Sequence, residues 1–253
     1  MRTRLPAAVL AVAVIALPAG CGGGRDGSEL TVSAASSLTD AFTRYGNEFH
    51  AAAAARFSFG GSDVLAAQIE QGARPDVFAS ANTDYPEKLH NRGLAGRPVP
   101  FATSRLVIAV PADQTSIRSV RGLAHPGLTI AIGSGSVPIG SYTRQVLARL
   151  GAAEKARIMR NVATQEPDVA GIVGKLTQGA VEAGFTYSTD VDATQGQLTA
   201  IDLPSRLQPS VTYAATVLNG SNHRAQAQAF IHGLVTGPGA TALRQAGFGP
   251  PPK

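Results

Sequence analysis

"ELTVSAASSLTDAF", residues 29–42, decides the fold. Leu30, Val32 and Ala34 alternate with Thr31 and Ser33, which reads as a β-strand. The strand ends in small residues. Leu38, Phe42, Tyr45 and Phe49 then recur at helical spacing. Ser36 and Ser37 therefore stand where a strand hands over directly to a helix. That handover is the opening of an α/β unit.

The rhythm continues along the chain. "RFSFGGS" (56–62) reads as a strand breaking on Gly60-Gly61, and "DVLAAQIEQG" (63–72) as a helix stopped by Gly72. "PDVFAS" (75–80) is a strand and "TDYPEKLHNRGL" (83–94) a helical segment. "SRLVIAVP" (104–111) is the clearest strand. "LTIAIGSG" (128–135), "GSYTRQVLARLG" (140–151), "DVAGIVGKLTQG" (168–179) and "VEAGFTYST" (181–189) repeat the alternation. "SVTYAATVLN" (210–219) is a long strand, and the segment 224–248 reads as two helices broken at Gly237-Pro238-Gly239. Such alternation predicts parallel-type α/β sheets covered on both faces. There are too many units for one compact sheet. We expect two lobes, residues 29–102 plus 213–253 and residues 103–212, with "GRPVPFATS" (96–104) as the crossing.

The first residues are not part of this pattern. Arg2 and Arg4 precede an apolar run from Leu5 to Leu17, and Ala19-Gly20 precede Cys21. This is a secretory signal over residues 1–20, its apolar run shorter than the ~20 residues of a membrane span. Cys21, the single cysteine, stands as in a lipoprotein signal, where its thiol is acylated; residues 21–28 would then be a flexible tether and the protein a lipid-anchored, extracytoplasmic one. Without cysteine pairs, core packing must hold the mature chain. The formal charge of +5 falls to +3 once Arg2 and Arg4 are removed, too little to indicate nucleic-acid binding. His50, His90, His125, His223 and His232 are scattered without metal-ligand spacing, so no metal site is expected. "GSGS" (133–136) lacks the lysine of a phosphate loop, and no G-x-S-x-G nucleophile elbow follows a strand.

Four segments share one design: "SAASSLTDAF", "FGGSDVLAAQI", "GSVPIGSYTRQV" and "EPDVAGIVGKL". Each runs from a strand end or loop into a helix start. The first backbone N–H groups of a helix lack internal partners and carry about half a positive charge. Serine hydroxyls add rotatable donors. Several such ends aimed at one spot would hold a doubly negative oxyanion without a cationic side chain. Each start is also read as an ordinary helix cap, and spacing alone leaves both readings open.

"AASSLTDAF", "GGSDVLAAQIEQGARPDVFASA", "VPIGSYTRQVLARLG" and "GFTYSTDV" together resemble the molybdate-binding proteins of bacterial ABC transporters. The resemblance implies an α/β, two-lobed periplasmic-binding-protein fold (type II) with ligand in the cleft between the lobes. It implies an oxyanion site made by the hydroxyls of Ser37, Ser62 and Tyr187 and the backbone N–H groups of Ile139 and Val169. It further implies a monomer that carries molybdate or tungstate as cargo to a membrane permease, with no cofactor and no catalysis. Asp63 follows Ser62 where the family has a neutral residue, so its carboxylate is expected to point away. Ile139 replaces a smaller residue, and Asp168 is expected to cap its helix. Tyr45 and Tyr142 are expected to pack, Tyr142 also as a wall of the cleft. The alternatives are a binder of sulfate or phosphate, a secreted serine hydrolase and a ligand-sensing regulator lobe. The hydrolase is disfavoured because no serine has a visible histidine and acid partner.

Overall fold

The computed structural model describes residues 29–49 and 54–252. The signal, the tether, Cys21 and His50 lie outside the described residues.

Strand β1 (Leu30–Ala35) passes through a single 3-10 turn, Ser36–Leu38, into helix α1 (Thr39–Glu48). Then come β2 (Ala55–Gly60), α2 (Ser62–Glu70), β3 (Val77–Ser80), α3 (Asp84–Asn91) and β4 (Val99–Ser104). The middle of the chain forms β5 (Leu106–Pro111), β6 (Ile130–Gly133), α4 (Pro138–Arg149), α5 (Ala152–Arg160) and β7 (Val162–Glu166). It continues through α6 (Val169–Thr177), β8 (Ala183–Tyr187), α7 (Ser188–Ala193) and β9 (Leu198–Asp202). The chain ends with β10 (Val211–Val217), α8 (Arg224–Thr236) and α9 (Pro238–Gln245).

The strands form two five-stranded sheets of matching order, β2-β1-β3-β10-β4 and β7-β6-β8-β5-β9. Helices flank both. Three strands of each sheet run parallel, and the next two are antiparallel additions. The sheets are thus mixed rather than wholly parallel. β10 returns from the second sheet and must enter the first against the direction of β3.

The expected strand 104–111 is divided. Ser104 pairs with Val211 in the first sheet, and Leu106 pairs with Tyr187 in the second. The pairing partners change between these two residues, so the backbone changes sheets at Arg105. The first sheet therefore extends to Ser104, beyond the expected crossing at residue 102. Helix α5 and strand β7 carried little sequence signal. Only Ile158 of α5 is buried, and β7 is an edge strand with no buried residue.

Aromatic rings fix the first lobe. Phe42 and Tyr45 of α1 and Phe49 just after it meet Phe230 of α8 at ring-centroid distances of 5.5, 4.7 and 5.3 Å. Burying each such ring contributes about 1.5–3 kcal/mol. The packing sets the position of α1 and therefore of the turn that begins it.

At the opposite ends of these strands a polar knot ties the lobe. Asp76 accepts hydrogen bonds from Thr31 N–H and Oγ1 (both 2.8 Å) and from Ser221 Oγ (2.7 Å), and lies 3.3 Å from His223 Nδ1. Burial pushes its carboxyl pKa up, but the bonds from Ser221, Thr31 and His223 outweigh burial and hold it below the ordinary 3.8. Asp76→Asn should cost about 2–3 kcal/mol at neutral pH in urea unfolding, since it disrupts several bonds to a charged group. A depressed carboxyl stabilises the fold above its unfolded pKa and loses that effect as pH falls through the folded one. The gap between wild type and variant should therefore close below pH 3.8.

Candidate functional site

The carboxyl ends of β1, β2, β6 and β8 face one cleft, where open α/β sheets place ligands. The 3-10 turn before α1 and the start of α2 approach from the first lobe. The starts of α4 and α6 approach from the second. They line a cavity with about 200 Å³ of empty space, part of it open to solvent. Ser37, Ser62, Ile139, Val169 and Tyr187 all line it, with no lysine, arginine or histidine. Residues more than a hundred positions apart in sequence are thus brought to one point.

Ser62 is the first residue of α2 and is buried, 1% exposed. Its Oγ accepts the Ala81 N–H at 3.2 Å, which leaves its own hydrogen to donate. Ser37 Oγ lies 3.0 Å from Tyr213 Oη. Tyr187 ends β8, and its hydroxyl is buried with no partner among the described residues. Burial pushes its pKa well above the ordinary 10.0, so it remains a proton donor. The Tyr187 N–H donates to Asp190 Oδ2 at 3.0 Å, holding the corner between β8 and α7. Burial pushes the Asp190 pKa up to about 7, against the lowering effect of that N–H and with added repulsion from Asp168.

Val169 opens α6, and Ile139 follows Pro138 at the start of α4. Proline has no N–H, so Ile139 carries the first free donor of its helix. Asp168 caps α6 through Oδ1, which accepts the Gly171 N–H at 2.9 Å. Neither the Ile139 nor the Val169 N–H has an acceptor within its own helix. Hydroxyls, backbone N–H groups and four positive helix ends therefore surround a small space. Such a space favours a compact anion that brings only acceptors.

The lobes touch across the cleft. Asp63 Oδ2 accepts from Ser136 Oγ at 2.5 Å, and Tyr85 Oη donates to the Ser136 carbonyl at 2.5 Å. The Asp63 carboxylate is thus engaged by the other lobe and does not line the cavity. Tyr142 Oη reaches the Ala81 carbonyl at 3.4 Å, so it joins the lobes as well as packing. Gly61 and Gly140 stand where a Cβ would strike the Pro167 and Ser134 carbonyls, so only glycine permits these close approaches. A larger hollow, with about 1050 Å³ of empty space, lies alongside among Asp40, Arg44, Asp192 and Gln245. It carries two carboxylates, Asp40 and Asp192, where the cleft has one, Asp168, already engaged by the Gly171 N–H, and it lacks the ring of helix starts, so it is the poorer anion site.

Ser221, His223 and Asp76 do form a serine–histidine–acid cluster, 145 residues separating Asp76 from Ser221. No local sequence pattern marks it. The carboxylate sits between the other two, and Ser221 Oγ accepts the His223 backbone N–H at 3.0 Å. A hydrolase needs the imidazole to take the serine proton. Here that proton goes to Asp76, at the strand ends away from the cleft. No group of three or more histidine, cysteine or acidic residues that could hold a metal occurs among the described residues. Among them, too, no helix is long and apolar enough to cross a membrane.

Residues 30–249 match the family of bacterial extracellular solute-binding proteins. The molybdate-binding protein ModA of Mycobacterium tuberculosis is 35% identical over 227 residues, 88% of this chain and 85% of its own. Among solved structures, the Azotobacter vinelandii periplasmic molybdate-binding protein superposes with a TM-score of 0.79 at 24% identity, over 88% of this chain and 100% of its own. The M. tuberculosis sulfate-binding protein SubI gives 0.78 at 18% identity, over 88% of this chain and 86% of its own. These two structural likenesses establish the fold and leave the anion open.

Tyr187→Phe separates a binding role from a structural one. The hydroxyl has no partner among the described residues, so its loss should leave the stability of the anion-free protein within about 0.5 kcal/mol or raise it slightly. Oxyanion affinity should fall about tenfold or more. Chemical unfolding and calorimetric titration on the same preparation check both.

Proposed function

The chain belongs to the bacterial extracellular solute-binding proteins, and we propose that it captures molybdate, and tungstate of the same shape and charge, for delivery to an ABC permease. The buried, unpartnered Tyr187 hydroxyl at a cavity of helix starts carries this reading. A buried polar group without a partner costs about 1–3 kcal/mol, a penalty that a bound oxygen removes. The identity to a curated molybdate-binding protein over most of both chains supports the choice of anion. Ser37, Ser62 and Tyr187 would donate through hydroxyls, and Ile139 and Val169 through backbone N–H groups.

A neutral donor set also fits transport. No ion pair with a side chain has to break when the cargo leaves. The anion is cargo rather than cofactor, and the protein carries out no reaction. Lobe closure on the anion would be the signal read by the permease. We place the protein outside the cytoplasm, as a monomer anchored to the cell membrane by a lipid on Cys21. Cys21→Ser should move it from the membrane to the soluble fraction, and continued membrane association would exclude the lipid anchor.

Calorimetric titration with molybdate, tungstate, sulfate and phosphate tests the cargo. One-to-one binding of the first two, with the others at least a hundredfold weaker, is expected. Ser37→Ala and Ser62→Ala should each lose about 1.5–3 kcal/mol of molybdate affinity, the scale of a hydrogen bond to a charged group. Preferential binding of sulfate would keep the site and change the cargo.

A further inference from the structure

Tyr213 does not line the cavity, yet it is fully buried directly behind it. It sits on β10 at a shift in register against β4, between Tyr213 and Ala214. Such irregularities re-aim a side chain. Its ring is held by three others: Phe248 at 5.2 Å, Tyr187 at 5.8 Å and Phe101 at 6.2 Å between centroids. The clamp holds the phenol oxygen 3.0 Å from Ser37 Oγ.

A serine hydroxyl has one hydrogen and two lone pairs. A bound oxyanion offers only acceptors, so Ser37 must spend its hydrogen on the anion. Both hydrogen bonds of Ser37 then form only if Tyr213 donates to it. Tyr213 is suited to that direction: burial, first, holds its pKa well above the ordinary 10.0 and keeps the proton in place. A donor chain from phenol to serine to anion also strengthens each of its links. Ser62 has the same arrangement, with the Ala81 N–H as its fixed donor. At Ser37 the backbone supplies no such donor, and a side chain from another strand takes its place.

We propose that Tyr213 is a positioning residue that turns the Ser37 hydroxyl into a one-way donor toward the bound oxyanion. The inference rests on the oxyanion-binding reading of the cavity. Tyr213 acts through Ser37 and touches no ligand atom.

Calorimetric titration with sodium molybdate of four proteins tests it: wild type, Tyr213→Phe, Ser37→Ala and the double variant. Tyr213→Phe should weaken binding about tenfold when Ser37 is present and not at all when Ser37 is alanine. A purely structural effect would weaken both backgrounds equally, and that result, or no loss in either, overturns the role of Tyr213. Thermal unfolding without anion shows whether Tyr213→Phe folds. If it does not, 3-fluorotyrosine at position 213 decides. Its more acidic phenol should tighten binding only when Ser37 is present, and an affinity unchanged in both backgrounds overturns the proposal. Wild-type protein that binds no molybdate would instead sink the functional reading, and this inference with it.

Discussion

Backbone N–H groups at a helix start must find an acceptor, and in this protein helix starts from two lobes meet around one cavity. Open to water, each group is hydrated. With the lobes together, the space left between them admits little water, and an unfilled donor there costs free energy. Closure therefore becomes favourable when an acceptor-rich guest occupies the space. Binding and lobe movement are linked through this shared need for acceptors.

The rest of the architecture serves that convergence. The two sheets share a strand order, so each presents helix starts at the same edge. The aromatic cluster around Phe230 holds α1 against the first sheet, and the Asp76 knot ties the far ends of the same strands. Gly61 lets backbone approach backbone across the cleft, and Gly140 lets the start of α4 pack on the end of β6 within the second lobe. The contacts of Asp63 and Tyr85 with Ser136 then join the lobes without placing a charge in the cavity.

Much of the fold was legible because the strand and helix periods differ. Helices α2, α4, α6 and α8 followed their apolar spacing. What escaped were elements whose burial is slight, such as α5 and β7. The division of segment 104–111 escaped for another reason. Its apolar run continues unbroken while its hydrogen-bond partners change at Arg105, and only partners distinguish the two strands. Ser37, Ser62, Ile139, Val169 and Tyr187 were read through a family resemblance. Residue chemistry alone left their segments as either caps or donors. Tyr213 and the Asp76–Ser221–His223 knot had no local signature, since their partners lie far away in the chain.

Local sequence set the alternation of strands and helices, the positions of the helix starts and the scarcity of cationic side chains near them. These are local properties, written in periodicity and in the residues at each turn. Tertiary structure alone decided that the starts share one cavity, that Asp63 faces Ser136, and that the Tyr187 hydroxyl lacks a partner while that of Ser37 meets Tyr213. Those outcomes depend on which distant groups come within hydrogen-bonding reach. Spacing along a chain cannot specify that distance; the packing of two sheets does.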